Sequence, residues 1–336
     1  MPFRDCVGHR RLLAVLARSV ERGSLPPSLI FGGPDGVGKR HVAVALAQLL
    51  NCTDRQEGNG VPVDACGRCA ACRRIGRGVH PDVVVVEPGD TGAIKVDQVR
   101  DIIDRAAFRP FEGRRRVVIV DQADALVPQA QNALLKTLEE PPAGSVFVLI
   151  TARPDSLLPT VRSRCPLLRF RPLSGDEVAS VLVAGGKKEA EARAVAAMAD
   201  GSISQALAAS GGELLDIRDT AARVLIRLAS TRDPRQRIDE ARALLPRTSA
   251  GGASDRDYLS QHVKAMAALV RDASLLVSGA DPSGVANSDV RTDLERLAAF
   301  GGARGPRAFE VFDEALAALD GNASAKIVAD WLVLEL

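Results

Sequence analysis

The segment Gly33-Pro34-Asp35-Gly36-Val37-Gly38-Lys39 limits most strongly what this chain can fold into. It has the spacing G-x-x-x-x-G-K, follows the short apolar run Ser28-Leu29-Ile30-Phe31, and precedes Val42, Leu46, Leu49 and Leu50 at helical spacing. Strand, glycine loop and helix in that order turn backbone N–H groups toward an anion at a helix N-terminus, with the lysine placed to reach a β- or γ-phosphate. Such a unit belongs in an α/β fold with a parallel sheet. Residues 82–87, 117–120 and 146–150 read as further strands, with a helix over 96–107. Their unbroken Val and Ile runs suit strands covered on both faces.

Past Arg171 the strand signal stops. Short amphipathic helices are expected from about 174 to 208, and helix throughout from about 213, broken near Gly251-Gly252, near Asp281 to Gly284 and around Gly301-Gly302. A length of 336 residues allows two or three domains. The expected division is an α/β domain over 1–172 with an insertion at about 51–78, a small helical lid over 173–209 and an all-α domain over 210–336. Forty-four basic side chains stand against 42 acidic ones, a net charge of +2 that argues against a uniformly basic nucleic-acid binder but not against a local groove. Aromatics at 3% argue against base stacking as a main device. Only seven of the basic residues are Lys, an excess of Arg best explained by coding bias. No apolar run reaches the roughly 18 residues a membrane span needs, and the charged start resembles no secretory leader. A cytoplasmic, reducing setting is therefore expected, in which cysteines serve as metal ligands or free thiols.

Two positions depart from a working hydrolysis site. After Lys39 a Ser or Thr should ligate Mg²⁺, but Arg40 stands there. The strand Val117-Val118-Ile119-Val120 ends in Asp121, which can position a cation, and then Gln122 where a water-activating Glu belongs. Gln122 can hold a water but cannot take its proton. The pair of departures reads as a nucleotide-binding fold that has lost hydrolysis and with it, in some such sites, the nucleotide; the alternative is an ordinary NTPase with tolerated substitutions.

Cys52 and the run Cys66-x-x-Cys69-x-x-Cys72 supply four thiols to the insertion. Four thiolates complete a closed tetrahedral Zn²⁺ site, structural rather than catalytic, and a segment as poor in apolar residues as DRQEGNGVPVDACGRC gains its fold from such a staple. An iron–sulfur cluster is the rival, but the ferredoxin run continues to a Cys-Pro where this chain has Gly76-Arg77. Cys6 and Cys165 are expected to be buried free thiols. Arg164, in Ser163-Arg164-Cys165 after a Pro-punctuated loop, can serve a phosphate held by a neighbouring subunit, although an Arg among arginines is more often a solvated surface residue.

Taken in order, GGPDGVGK, the four cysteines, His80-Pro81-Asp82, VVIVDQAD, NALLKTLEEPP at 132–142 and Ser163-Arg164-Cys165 resemble the AAA+ clamp-loader subunits of bacterial DNA polymerase III. The motifs cover roughly residues 7 to 210. The resemblance implies an AAA+ P-loop domain, a lid and a collar domain that holds a ring together. It implies gamma/tau and delta subunits, the sliding clamp and primer–template DNA as partners, and ATP or ADP as the nucleotide. It places Cys6-Val7-Gly8-His9 on the adenine side and Thr151 at the first sensor position. A γ-phosphate-sensing Arg belongs in the lid, where Gly201-Ser202-Ile203-Ser204-Gln205-Ala206-Leu207 has none. With Arg40, Gln122 and this third loss, and with Arg164 kept, the chain resembles the non-hydrolysing delta-prime branch, in which Arg164 would be a trans arginine finger. An active gamma/tau-like ATPase is the alternative, and a scaffold that uses the fold only for association is a third.

Overall fold

The computed structural model describes all residues except 1, 59, 90, 209–210, 247–251, 280–283 and 302–303. The chain forms two compact units, Met1–Ser174 and Gly175–Leu336.

In the first unit β1 (Ser28–Gly32), β4 (Val83–Val86), β5 (Arg116–Val120), β6 (Ser145–Thr151) and β7 (Leu167–Arg169) form a parallel sheet in the order β4-β5-β6-β1-β7. Every residue of β1, β5 and β6 is buried. The reason is the two-residue period of a strand. Leu29, Phe31, Val117, Ile119, Val146 and Val148 fill one face, against α1 (Arg10–Glu21) and α2 (Lys39–Asn51). Ile30, Val118, Val120, Phe147 and Leu149 fill the other, against α4 (Val96–Ala107) and α5 (Pro128–Glu139). Strands 82–87, 117–120 and 146–150 and helix 96–107 lie where the sequence puts them, within a residue at each end. Strand β7 was not expected: three partly exposed residues at the sheet edge, one of them Arg169, give no apolar run to read. The insertion holds a short antiparallel hairpin, β2 (Gln56–Gly58) and β3 (Val61–Asp64), followed by α3 (Ala70–Gly76). A one-turn helix, α6 (Pro159–Arg162), precedes β7.

The second unit is wholly helical among the described residues: α7 (Gly175–Ala184), α8 (Glu189–Met198), α9 (Ile203–Ala208), α10 (Gly211–Ser230), α11 (Pro234–Ala241), α12 (Gly252–Val277), α13 (Arg291–Arg296), α14 (Arg304–Asp320) and α15 (Ala325–Glu335), with short 3-10 turns. One apolar core joins Met198 of α8 to Leu225, Met266, Phe300, Phe312 and Leu332. The expected boundary at 209/210 and the expected breaks at Gly251, Asp281 to Ser283 and Gly302 lie outside the described residues. Phe312 and Leu319 are core, and Phe309, Leu316 and Trp331 pack against it half-buried, whereas Ile327 and Leu334 on α15 are exposed rather than core. No helix among the described residues is long and apolar enough to cross a membrane.

Candidate nucleotide site, arginine finger and cysteine cluster

The glycine loop joins the C-terminal end of β1 to α2, the edge of a parallel sheet where ligands bind in such folds. Gly33 N–H donates to Thr151 O (3.2 Å) at the end of the adjacent strand β6. Gly33 has φ +152°, and a Cβ there would lie 2.2 Å from Phe170 O, so only glycine fits. Gly36 and Gly38 also have positive φ, at 77° and 96°. His9 donates from Nε2 to Val37 O (3.0 Å) and rests edge-on against Phe170, which ties the 6–9 segment to the loop. Lys39 is 5% exposed and folded back on the loop: Nζ donates to Gly33 O (2.5 Å) and Pro34 O (2.6 Å), 3.5 Å from Asp35. Burial lowers the affinity of Lys39 for its proton, and Asp35 opposes that.

Arg40 does not hang free. Its Nη1 lies 3.2 Å from Asp121 Oδ2 and also pairs with Glu87. Burial pushes the Asp121 carboxyl upward while Arg40 pulls it down. Gln122 sits in the left-handed region at φ 51°, with its N–H held by Asp121 Oδ1 (3.0 Å). Thr151, fully buried, donates from Oγ1 to Asp124 Oδ1 (3.0 Å) and accepts from Arg153 N–H (3.0 Å), while Arg153 also pairs with Asp124. The structure thus brings Gly33, Gly36, Gly38, Lys39, Asp121 and Thr151 to one end of the sheet. Magnesium does not fit this set: the hydroxyl ligand is replaced by Arg40, and Asp121 is already neutralised by the guanidinium.

Arg164 lies just past α6, with Nη1 donating to Thr160 O (3.0 Å) and Nε and Nη2 within 3.0 and 2.9 Å of Glu139 Oε2. Glu139 is the last residue of α5, so the NALLKTLEEPP segment holds the arginine in place. No local pattern in the chain marks that pairing. Neighbouring Cys165 is buried, and burial pushes its thiol up to about 11 against the opposing pull of Arg164. Cys6 is only half-buried, with its thiol pushed up to about 12 by burial and by Asp64.

The sulfurs of Cys52, Cys66, Cys69 and Cys72 lie within 4.8 Å of one another. Four sulfurs on one tetrahedral zinc stand roughly 3.8 Å apart, so this group could hold a metal ion with little movement. Backbone N–H groups already face the sulfurs: Cys66 N–H toward Cys52 Sγ (3.3 Å), Cys69 N–H toward Cys66 Sγ (3.3 Å) and Cys72 N–H toward Cys69 Sγ (3.4 Å). Burial acts to raise the Cys69 thiol, but hydrogen bonds from Cys72 and Thr53 outweigh it and bring it to about 6; burial raises Cys52 and Cys72. Buried Asp64 beside the cluster accepts from the N–H groups of Phe3 (2.9 Å) and Arg4 (3.0 Å), and Arg4 also donates to Cys66 O (2.9 Å). The chain's start is stitched to the insertion in this way.

His80-Pro81-Asp82 has a supporting role that sequence reasoning missed. Asp82, fully buried, accepts from the N–H groups of Phe111 (2.6 Å), Glu112 (2.9 Å) and Gly113 (2.8 Å) and from Arg116 Nη2 (3.0 Å). Burial pushes its carboxyl up, but those donors outweigh it and hold it at about 2. The pair fixes the loop between α4 and β5, and its only advance signal was an Asp opening one apolar strand and an Arg opening the next.

Residues 8–174 match the family model described as DNA polymerase III, delta subunit. Through this unit the chain belongs to the DNA polymerase III clamp-loader family. It is 40% identical over 184 residues to the delta' subunit of Pseudomonas aeruginosa, covering 54% of this chain and 52% of that one. It is 35% identical over 176 residues to the tau subunit of Escherichia coli, covering 52% of this chain and 26% of that one. A gamma-subunit-related protein of Thermotoga maritima aligns over 96% of this chain and 97% of its own at 19% identity, with a TM-score of 0.42. The chain spans between a quarter and about half the length of the curated relatives it matches. Both tau and delta' names occur among these relatives, so the distinction falls to the site itself.

Proposed function

We propose that this clamp-loader subunit is of the delta-prime kind: it does not hydrolyse ATP itself, and presents Arg164 to the nucleotide of a neighbouring gamma/tau subunit while the assembled loader places a sliding clamp on primer–template DNA. The observation that carries the reading is the Arg40–Asp121 ion pair in the place of a metal site, with Gln122 where the water-activating acid belongs. Arg164 is meanwhile kept, part-exposed and oriented by Glu139. A guanidinium so placed stabilises charge on a transferring phosphoryl group without needing a working site of its own. On this reading the cysteine cluster holds one structural Zn²⁺, and the chain beyond residue 172 comprises lid (173–209) and collar (210–336), the collar joining it to the gamma/tau and delta subunits.

The 35% identity to an E. coli tau subunit, together with the intact Lys39, supports the rival of an active ATPase. Turnover by the purified chain, with and without primed DNA, separates the two. The delta-prime reading expects turnover at the background of a Lys39→Ala control. Stimulated turnover that Lys39→Ala abolishes would overturn it.

A further inference from the structure

Arg40 changes what the glycine loop can bind, not only whether it can hydrolyse. Glu87 follows β4 and Asp121 follows β5, and these strands pair Val86 with Val120, so two carboxylates stand side by side at the sheet's C-terminal edge. Arg40, from the first turn of α2, pairs with both. Its side chain is about half exposed, so the two carboxylates do not enclose it. A divalent cation would have to displace a tethered positive charge from Asp121 and would find no hydroxyl at position 40. A polyphosphate meets no such obstacle at Arg40: the glycine loop, the N-terminus of α2 and Arg40 offer it donors, and Lys39 joins them once its Nζ turns away from Gly33 O and Pro34 O. Guanidinium groups bind phosphate oxygens in a planar two-pronged fashion that a point charge cannot match.

We propose that this site takes the polyphosphate of a nucleoside di- or triphosphate without a divalent metal, the Arg40 guanidinium, tethered by Glu87 and Asp121, standing where the cation would. The proposal deepens the non-hydrolysing reading and rests on it, since a nucleotide held without its metal lacks the cation that phosphoryl transfer uses.

The test is calorimetric titration of the full chain with ATP and with ADP, in buffer with and without magnesium chloride and without chelator, so that the cysteine cluster keeps its metal. The expected result is an affinity that agrees within about twofold between the two buffers. Arg40→Ser should lose about tenfold or more without magnesium, the worth of a charge-assisted hydrogen bond, and regain affinity when magnesium is added. Arg40→Lys, which keeps the charge but not the fork, should fall between them. Wild-type binding that requires magnesium, or no heat in either buffer from protein with unchanged far-UV circular dichroism, would overturn the proposal. ATP turnover followed in the same samples keeps the two readings apart: metal-independent binding with turnover contradicts only the non-hydrolysing reading, and magnesium-dependent binding without turnover contradicts only this one.

Discussion

Replacing Asp82 by Ala should be among the most damaging single changes in the first unit. The side chain is fully buried, accepts three backbone N–H groups at 2.6 to 2.9 Å, and faces Arg116, whose own side chain is 10% exposed. Truncation leaves a guanidinium without its counter-charge and three amides without their acceptor. Removing one partner of a buried ion pair costs about 3–5 kcal/mol. A second gauge comes from the carboxyl itself: held at about 2 against an ordinary 3.8, it contributes roughly 2 kcal/mol at neutral pH. The second figure is smaller because it counts only ionisation, whereas Ala also removes the acceptor, so about 3 kcal/mol is the expectation. Because the folded value is depressed, this contribution is present above the unfolded value near 3.8 and is lost as pH falls toward 2. Urea unfolding followed by far-UV circular dichroism, with hydrogen exchange at residues 111–113, measures both effects. Asp82→Asn keeps an acceptor and should cost less, while removing the acid dependence between pH 4 and 2. Unfolding of Asp82→Ala within about 0.5 kcal/mol of wild type would refute the argument.

Metal analysis should find about one zinc per chain and no visible colour, and a chelator should loosen the insertion and the chain start tied to it through Asp64 and Arg4; visible absorbance with bound iron would contradict this. Gly33→Ala forces a Cβ to within 2.2 Å of Phe170 O at φ +152°, and should shift the glycine loop or the start of the segment after β7. Gly38→Ala meets no atom within 4 Å and should cost only the roughly 1–2 kcal/mol of a left-handed backbone, so unfolding midpoints should fall further for position 33 than for 38.

The sheet was legible because continuous apolar runs at 82–87, 117–120 and 146–150 suit strands covered on both faces, which β5 and β6 are, whereas β4, at the sheet edge, leaves Val83, Val84 and Val85 only half-buried. Strand β7 and the insertion hairpin were not, since β7 depends on a neighbour's edge and the hairpin pairs two very short stretches, Gln56–Gly58 and Val61–Asp64. The cysteine cluster and the loop glycines could be named from spacing alone. Long-range polar ties could not: Arg40 with Glu87 and Asp121, Arg164 with Glu139, and Asp82 with Arg116 join residues 25 to 81 positions apart. Nothing local in the chain marks those pairs. Ile327 and Leu334 share helical spacing with half-buried Trp331 yet are exposed, because such spacing shows that apolar residues share a face but not that the face is covered.

The central claim is that Arg164 works in trans while the chain's own site does not turn over. The most direct measurement is DNA-stimulated ATP hydrolysis by a loader rebuilt from this chain with its gamma/tau and delta partners, comparing wild type with Arg164→Ala after gel filtration establishes equal assembly. The account predicts a large fall, of the order of 10³-fold at the adjoining site if Arg164 acts as other arginine fingers do, while Lys39→Ala in this chain leaves the rate unchanged. An unaltered rate for Arg164→Ala in a correctly assembled complex would contradict it.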